Sequence, residues 1–244
     1  MDICVVTYKN TADRIRPAVR DQDELWVRDN THDNIGFGAG CNKLAARGTQ
    51  PIILFVNPDG DPQAGCFDAL ERALLDDPAL VAVEATLGPG WDRELEPEFL
   101  CGACFAVRRS AFEAVGGFDE RLFMYIEDNE ISYRLSLMGN FRREPTALFA
   151  HDSHPLTSLR LLHSYFRNEL TVDGWKGRAR PLGMLRGAAL ALQGRSWRTS
   201  ITKLSGTISY LIWTRRWEAP QMPVIPGVAD HVGVDRWTPR RGRR

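Results

Sequence analysis

The chain has 244 residues, 43% of them hydrophobic and 25% charged, with a formal net charge of zero. That length suits one sizeable α/β domain, or one domain with a short appendage; the composition argues against wholesale disorder, and with no stretch of about 18 apolar residues no membrane-spanning helix is expected. Neutrality hides an asymmetry: residues 1–159 carry 15 Lys/Arg against 26 Asp/Glu, and residues 160–244 carry 16 against 5.

An acidic part can hold a cation, and a basic part can face a phosphorylated acceptor or a membrane surface. The plainer alternative is that the two parts complement each other. Met1-Asp2-Ile3 leads into an apolar run without a basic stretch, so no secretory leader is expected. Five cysteines, odd in number and sparse, fit a reducing cytoplasm better than a disulfide framework. Cys101-Gly-Ala-Cys104 spells C-x-x-C, but without a second ligand pair it reads as a buried strand before it reads as a zinc or redox site.

In chain order, Ile3-Cys4-Val5-Val6 predicts a buried strand, and Thr11 can cap a helix reaching about Arg20. Glu24–Arg28 predicts a second strand ending at Asp29-Asn30. Gly36 to Arg47 reads as a Gly-rich turn entering a helix. Ile52–Val56 is the clearest buried strand and stops at the breaker cluster Asn57-Pro58-Asp59-Gly60. Phe67, Leu70 and Leu74 mark an amphipathic helix. Leu80–Ala85 and Phe99–Val107 predict strands, Ser110 a helix cap, and Ile131, Leu135 and Met138 a helix after Glu127-Asp128. Thr146–Ala150 predicts a last strand ending at His151.

Strands alternating with helices imply an α/β domain, residues 1–154, with a mostly parallel sheet flanked by helices. Residues 155–244 read as helical, with candidates at Leu156–Leu170, Met184–Leu192 and Ile201–Trp213 and a basic tail at Pro239–Arg244.

Ligands of open α/β sheets bind outside the carboxyl ends of the strands. There the sequence places Thr7-Tyr8, Asp29-Asn30, Asn57-Pro58-Asp59, Glu127-Asp128 and His151. Carboxylates with an imidazole and diphosphate oxygens suit Mg²⁺ or Mn²⁺. Each residue also has a plain reading. Asp59 suits a turn, Glu127-Asp128 a helix N-terminus, and His151 a core or capping position. The functional reading of Glu127-Asp128 is a carboxylate that takes a proton from an attacking hydroxyl. Gly36-Phe37-Gly38-Ala39-Gly40 follows the second strand, not the first, which disfavours a dinucleotide fingerprint. Its glycines serve close backbone approach to a ligand or a tight turn.

Taken in order, Val5-Val6-Thr7-Tyr8, Asp29-Asn30, Asn34–Asn42, Leu54–Asp59, Gly102–Arg109, Gly116–Glu120, Phe123–Asp128, Arg134 and His151 resemble family 2 glycosyltransferases of the GT-A fold, in the rhamnosyltransferase-like branch. The resemblance covers residues 1–154. It implies an inverting transfer of a sugar from a nucleotide-diphosphate donor to an acceptor hydroxyl. The implied donor is a dTDP- or UDP-sugar, dTDP-rhamnose first among them, and the implied cofactor is a divalent metal, Mg²⁺ or Mn²⁺.

By the same resemblance, Thr7, Tyr8 and Asp29 border the nucleobase, and Asn34, Gly38 and Asn42 line the nucleotide-sugar pocket. Asn57 and Asp59 form a reduced DXD-like motif, and Asp59 and His151 bind the metal. Gly102, Ala103 and Cys104 wall the sugar, and Asp128 is the base with Glu127 beside it. Beyond that stretch, Tyr165-Phe166-Arg167-Asn168 resembles an Arg-Asn element found after the core in the same branch, which implies that Arg167 contacts the diphosphate or acceptor; its plain reading is a solvated or helix-capping pair. Asp61 is a candidate to supplement Asp59. Only Thr31-His32-Asp33 separate Asp29-Asn30 from Asn34, so a sheet element is shortened or missing.

The apolar stripe Ile201, Leu204, Ile208, Leu211 and Ile212, beside Trp213, Arg215, Arg216 and Trp217, reads as a core-packed or subunit-facing helix or as a membrane-surface helix. The acceptor is then a cell-envelope glycan, a lipid-linked saccharide or a secondary metabolite. The protein is expected in the cytoplasm, with the inner membrane face and a homodimer both left open. No nucleic-acid motif accompanies the basic tail. A nucleotidyltransferase would need a Gly-rich basic signature where Thr7-Tyr8-Lys9-Asn10 stands. The remaining alternative is a non-catalytic nucleotide-sugar-binding or scaffold protein, which the joint presence of Asp59, Glu127, Asp128 and His151 disfavours.

Overall fold

The computed structural model describes residues 1–88, 99–152, 158–194 and 196–220. The chain forms two compact units: Met1–Phe123 with Glu127–His154, and Met124–Ile126 with Pro155–Arg244.

The first unit contains strands β1 (Asp2–Thr7), β2 (Glu24–Asp29), β3 (Ile52–Val56), β4 (Gly60–Pro62), β5 (Leu80–Thr86), β6 (Cys104–Arg108) and β7 (Asn140–His151). Helices α1 (Phe37–Ala45), α2 (Cys66–Asp76), α3 (Arg109–Ala114) and α4 (Glu127–Leu135) accompany them. All seven strands form one sheet in the order β2-β1-β3-β6-β5-β7-β4. β3 is buried along its whole length because helices cover both faces of the sheet, which explains its continuous apolar run. Its side chains alternate between two cores. Leu54 and Val56 join Ile3, Val5, Phe67, Leu70 and Leu74 on the α2 face. Ile53 and Phe55 join Leu44, Phe105, Phe112 and Ile131 on the opposite face.

The sheet is mixed. β2, β1 and β3 run parallel, as do β5 and β7. β6 is antiparallel to both β3 and β5, and β4 is antiparallel to β7. The expectation of a mostly parallel sheet is refined accordingly. Parallel neighbours need a crossover of a dozen or more residues, and apolar periodicity carries no direction.

Other expectations change locally. The stretch from Thr11 to Arg20 holds only a 3-10 turn at Arg16–Ala18, because Pro17 lacks an N–H and disfavours helix at the residue before it. β6 starts at Cys104 rather than Phe99, since Leu100, Cys101 and Gly102 donate their N–H groups to side chains instead of a strand partner. Arg108, not Ser110, stands at the N-cap of α3. β2 and β4 are the two edge strands of the sheet.

The second unit contains α5 (Leu159–Trp175), α6 (Pro181–Gln193) and α7 (Trp197–Ile212). α5 and α7 touch through small and polar groups. A Cβ on Gly206 would lie 3.0 Å from Phe166 Cβ, so glycine lets the two helices approach a few tenths of an ångström closer than a larger residue would. His163 Nδ1 lies 2.9 Å from Ser205 Oγ, and the Thr171 and Thr214 hydroxyls are 2.6 Å apart. Buried Asn168 donates to the carbonyls of Met124 and Tyr125 at 3.1 and 2.9 Å, which ties that tripeptide to α5. No described helix is long and apolar enough to cross a membrane. The basic tail, and the Gly88–Pro97 loop after its first residue, lie outside the described residues.

Candidate active site

The parallel register sets Thr7 opposite Asp29, so the ends of β1 and β2 bring Thr7, Tyr8 and Asp29 together. Thr7 is buried, while Tyr8 and Asp29 are exposed. Asp29 Oδ1 accepts from Thr31 N at 2.7 Å, and the Thr31 hydrogen bonds hold its carboxyl below the ordinary value. A charged, exposed acceptor therefore stands at the mouth of the first two strands.

The loop into α1 is organised from inside. Buried Asn30 donates to Gly36 O at 3.0 Å, and Asn34 Oδ1 accepts from Gly36 N at 3.0 Å. Gly36 has φ 93°, and a Cβ there would meet Phe123 O at 2.2 Å. Phe37 N donates to that same carbonyl at 2.9 Å. Gly38 is buried, with Phe118 Cβ 2.9 Å from where its own Cβ would stand. Asn42 uses both ends of its amide on the next loop: it donates to Phe118 O at 2.9 Å and accepts from Phe118 N at 2.9 Å. In the structure these polar atoms and glycines thus serve turns and packing.

Asn57, Gly102, Ala103 and Asp128 form a connected line. Asn57 N donates to Ala103 O at 2.8 Å, and Gly102 N donates to Asp128 Oδ2 at 3.0 Å. Three further groups pin the same loop. Cys101 N donates to Glu84 Oε2 at 2.7 Å, Leu100 N donates to Ser132 Oγ at 2.9 Å, and Arg143 Nε donates to Glu84 Oε1 at 2.9 Å. Glu84 and Arg143 are buried and compensate each other. The sequence reading passed over this pair. Its only trace there is an acid inside the apolar run Leu80–Thr86. Cys104 is fully buried and all five cysteines are free. Burial pushes the Cys104 thiol well above its ordinary value, as for a core thiol.

Glu127 and Asp128 open α4. The three residues before them are Met124, Tyr125 and Ile126, and Tyr125 and Ile126 take positive φ of 67° and 73°. That is a costly conformation for side chains of this size, above all for β-branched Ile126. Glu127 is buried and its Oε2 has no hydrogen-bond partner. Burial first, and the adjacent Asp128 second, raise its carboxyl from 4.5 to about 8. Asp128 is half-buried and aimed by the Gly102 N–H. Within the first unit, neutral Glu127 leaves Asp128 without a second negative charge beside it.

Asp59 and His151 meet because β4 pairs with β7 in a register that sets Gly60 opposite His151. Asp59 Oδ1 lies 3.2 Å from His151 Nε2, and neither buried ring nitrogen of His151 has a hydrogen-bond partner. The ring is held by stacking on Phe149, at 6.0 Å between centroids and 22° between planes. Gly60 makes this stack possible, since a Cβ there would meet the Phe149 ring at 2.3 Å. Two ligands on one small cation at bond lengths near 2.1 Å lie about 3 Å apart when adjacent, so the pair fits a divalent metal. Among the described residues no group of three or more His, Cys, Asp or Glu side chains is arranged to hold a metal. Asp61 does not join them. It pairs with Arg14, which also donates to Asp152 at 2.6 Å. Arg167 lies in the second unit, where it donates to Asn168 Oδ1 and sits 5.8 Å from the Trp217 ring centroid.

No family model matches the sequence. An N-acetylglucosaminyl-diphospho-decaprenol L-rhamnosyltransferase of Mycobacterium tuberculosis is 32% identical over 161 residues, covering 45% of this chain and 52% of the relative. The chain thus spans about half the length of the curated relatives it matches. Among solved structures, a mannosyltransferase from Pyrobaculum calidifontis in complex with GDP-Man and Mn²⁺ superposes with a TM-score of 0.59 at 15% identity, over 86% of each chain. Glucosyl-3-phosphoglycerate synthase from Mycobacterium tuberculosis, in complex with Mn²⁺ and UDP-glucose, gives 0.52 at 13% identity, over 73% of this chain and 78% of that one. The chain has the GT-A glycosyltransferase fold, and its likeness to the rhamnosyltransferase-like branch is borne out.

Proposed function

We propose that this protein is an inverting glycosyltransferase that moves a sugar from a nucleotide-diphosphate donor to an acceptor hydroxyl. The observation that carries this reading is the meeting of Asp59 and His151, 3.2 Å apart, with both imidazole nitrogens buried and not hydrogen-bonded, on the domain that presents Asp128. Asp59 and His151 would hold a divalent cation, which when bound supplies charge neutralisation at the departing diphosphate.

Asp128 takes the proton of the acceptor hydroxyl as that oxygen attacks the anomeric carbon. Its carboxylate is oriented for this by the Gly102 N–H. In-line displacement then inverts the anomeric centre. Asp29, ionised and exposed at the end of β2, accepts from the N3–H of a pyrimidine base beside Thr7 and Tyr8. That preference supports a dTDP- or UDP-linked sugar, with dTDP-rhamnose as the first donor to test. The curated relative is named for a lipid-linked diphospho-sugar acceptor, which supports a lipid-linked saccharide here.

The test is a panel of nucleotide sugars with Mg²⁺, Mn²⁺ or EDTA, read by donor turnover and by thermal stabilisation. A pyrimidine-nucleotide sugar is expected to stabilise the protein in a metal-dependent way. Asp128→Asn is expected to keep that stabilisation and to slow transfer by about 10²- to 10⁴-fold, the usual worth of a general base. No stabilisation by any donor would sink the reading, and full transfer by Asp128→Asn would remove Asp128 as the base.

A further inference from the structure

α7 is inverted relative to a helix that packs on a soluble core. Its inward positions are small or polar: Thr202, Gly206 and Thr207 are buried. Its large apolar residues point outward. Trp197, Ile201, Leu204, Ile208 and Leu211 follow one another at three- and four-residue steps along a single face, and Ile212 stands four residues after Ile208. Ile201 is 52% exposed, Ile208 48% and Trp197 54%. Trp213, 68% exposed, closes the far end of the same helix. On α6, Leu182 and Leu190 are exposed as well. An apolar stripe of this extent in water marks an interaction surface.

Charge indicates the occupant. From residue 174 to residue 217 the sequence has nine Lys/Arg and no Asp or Glu. The segment includes all of α6 and α7. Arg186, Arg198, Arg215 and Arg216 are exposed on these helices or on the turn after α7. A second copy meeting this face with its own would bring positive charge against positive charge. An anionic bilayer surface offers opposite charge together with apolar depth for Ile and Leu. Tryptophan at both ends of an apolar stripe suits the boundary between headgroups and acyl chains. No described helix crosses a membrane, so the surface would lie on the bilayer.

We infer that the outward face of α7, with α6 beside it, is a docking surface for anionic lipid bilayers. The inference deepens the lipid-linked acceptor reading by placing the protein at the surface where such an acceptor resides. It does not depend on transfer chemistry.

The experiment is flotation of the full chain with vesicles of phosphatidylcholine alone, or of phosphatidylcholine with phosphatidylglycerol. It runs beside size-exclusion chromatography and circular dichroism. Binding is expected to the mixed vesicles only and to weaken with added salt. Ile201→Asp with Ile208→Asp is expected to abolish flotation while leaving the circular dichroism spectrum unchanged. These are exposed positions, so the fold tolerates them. Arg215→Ala with Arg216→Ala is expected to weaken partitioning by about 30-fold, at roughly one lipid-surface increment per charge.

Absence of flotation would overturn the inference, and so would flotation that the Ile201→Asp/Ile208→Asp variant keeps. A dimer that this variant dissolves, without vesicle binding by the parent, would assign the face to a second copy instead. Nucleotide-induced thermal stabilisation, read on the same samples, reports the donor site separately. Failure of docking and failure of the glycosyltransferase reading are therefore distinguishable.

Discussion

Glu127 and Asp128 are neighbours in sequence with opposite environments. Glu127 is buried beside Gly38 of α1 and has an oxygen without a hydrogen bond, while Asp128 is half-buried and accepts from the Gly102 N–H. The raised Glu127 carboxyl has a consequence for stability. Between 4.5 and about 8 the folded chain retains a proton that the unfolded chain has released. The stabilisation is therefore complete below 4.5 and is lost progressively as pH rises to about 8. Glu127→Gln is expected to flatten the melting temperature across that window and to melt above the parent at pH 9. A parent whose melting temperature does not fall relative to the variant over the window would refute the assignment. The acid pair itself is legible in the sequence at a helix start. Its division into one neutral and one aimed carboxyl is not, because burial and the Gly102 contact arise only from packing.

The elements that carry the loop 100–103 were half legible. Apolar runs and breakers located β3, β5 and the second half of the last strand, which begins at Asn140 rather than Thr146. They were silent on β6 running antiparallel, since a period of two is the same read in either direction. They also missed the helix failure at Pro17, where turn chemistry overrides a plausible cap. The loop depends on Glu84 of β5 and Arg143 of β7, joined inside the sheet. Arg143→Met removes the buried cation paired with Glu84 and is expected to cost about 3–5 kcal/mol by urea denaturation. Adding Glu84→Gln is expected to recover most of that loss. The double variant still lacks the full carboxylate acceptor of the Cys101 N–H, so the loop's amide exchange should remain faster than in the parent. An additive double variant would mean that the two groups do not act as a pair.

At the scale of the molecule, the acidic and basic parts of the chain correspond to different tasks under the proposed function. The sequence showed the charge split without showing the one contact that matters most for a cation. Asp59 and His151 lie far apart in the chain, and only the β4–β7 register brings them together. With two protein ligands, a divalent ion has most of its coordination left for water or diphosphate oxygens. Metal and nucleotide should then bind as a linked pair rather than independently. Mn²⁺ alone is expected to bind weakly, and UDP or dTDP to tighten it by about 5- to 150-fold. By linkage, Mn²⁺ should tighten the nucleotide by the same factor. His151→Ala should shrink both factors together while leaving metal-free nucleotide binding near the parent value, because the imidazole acts on the nucleotide only through the ion. Calorimetric titrations in both orders decide it. Equal Mn²⁺ affinity with and without nucleotide would refute the two-ligand site, and unequal coupling factors in the two directions would show that a further binding step intervenes.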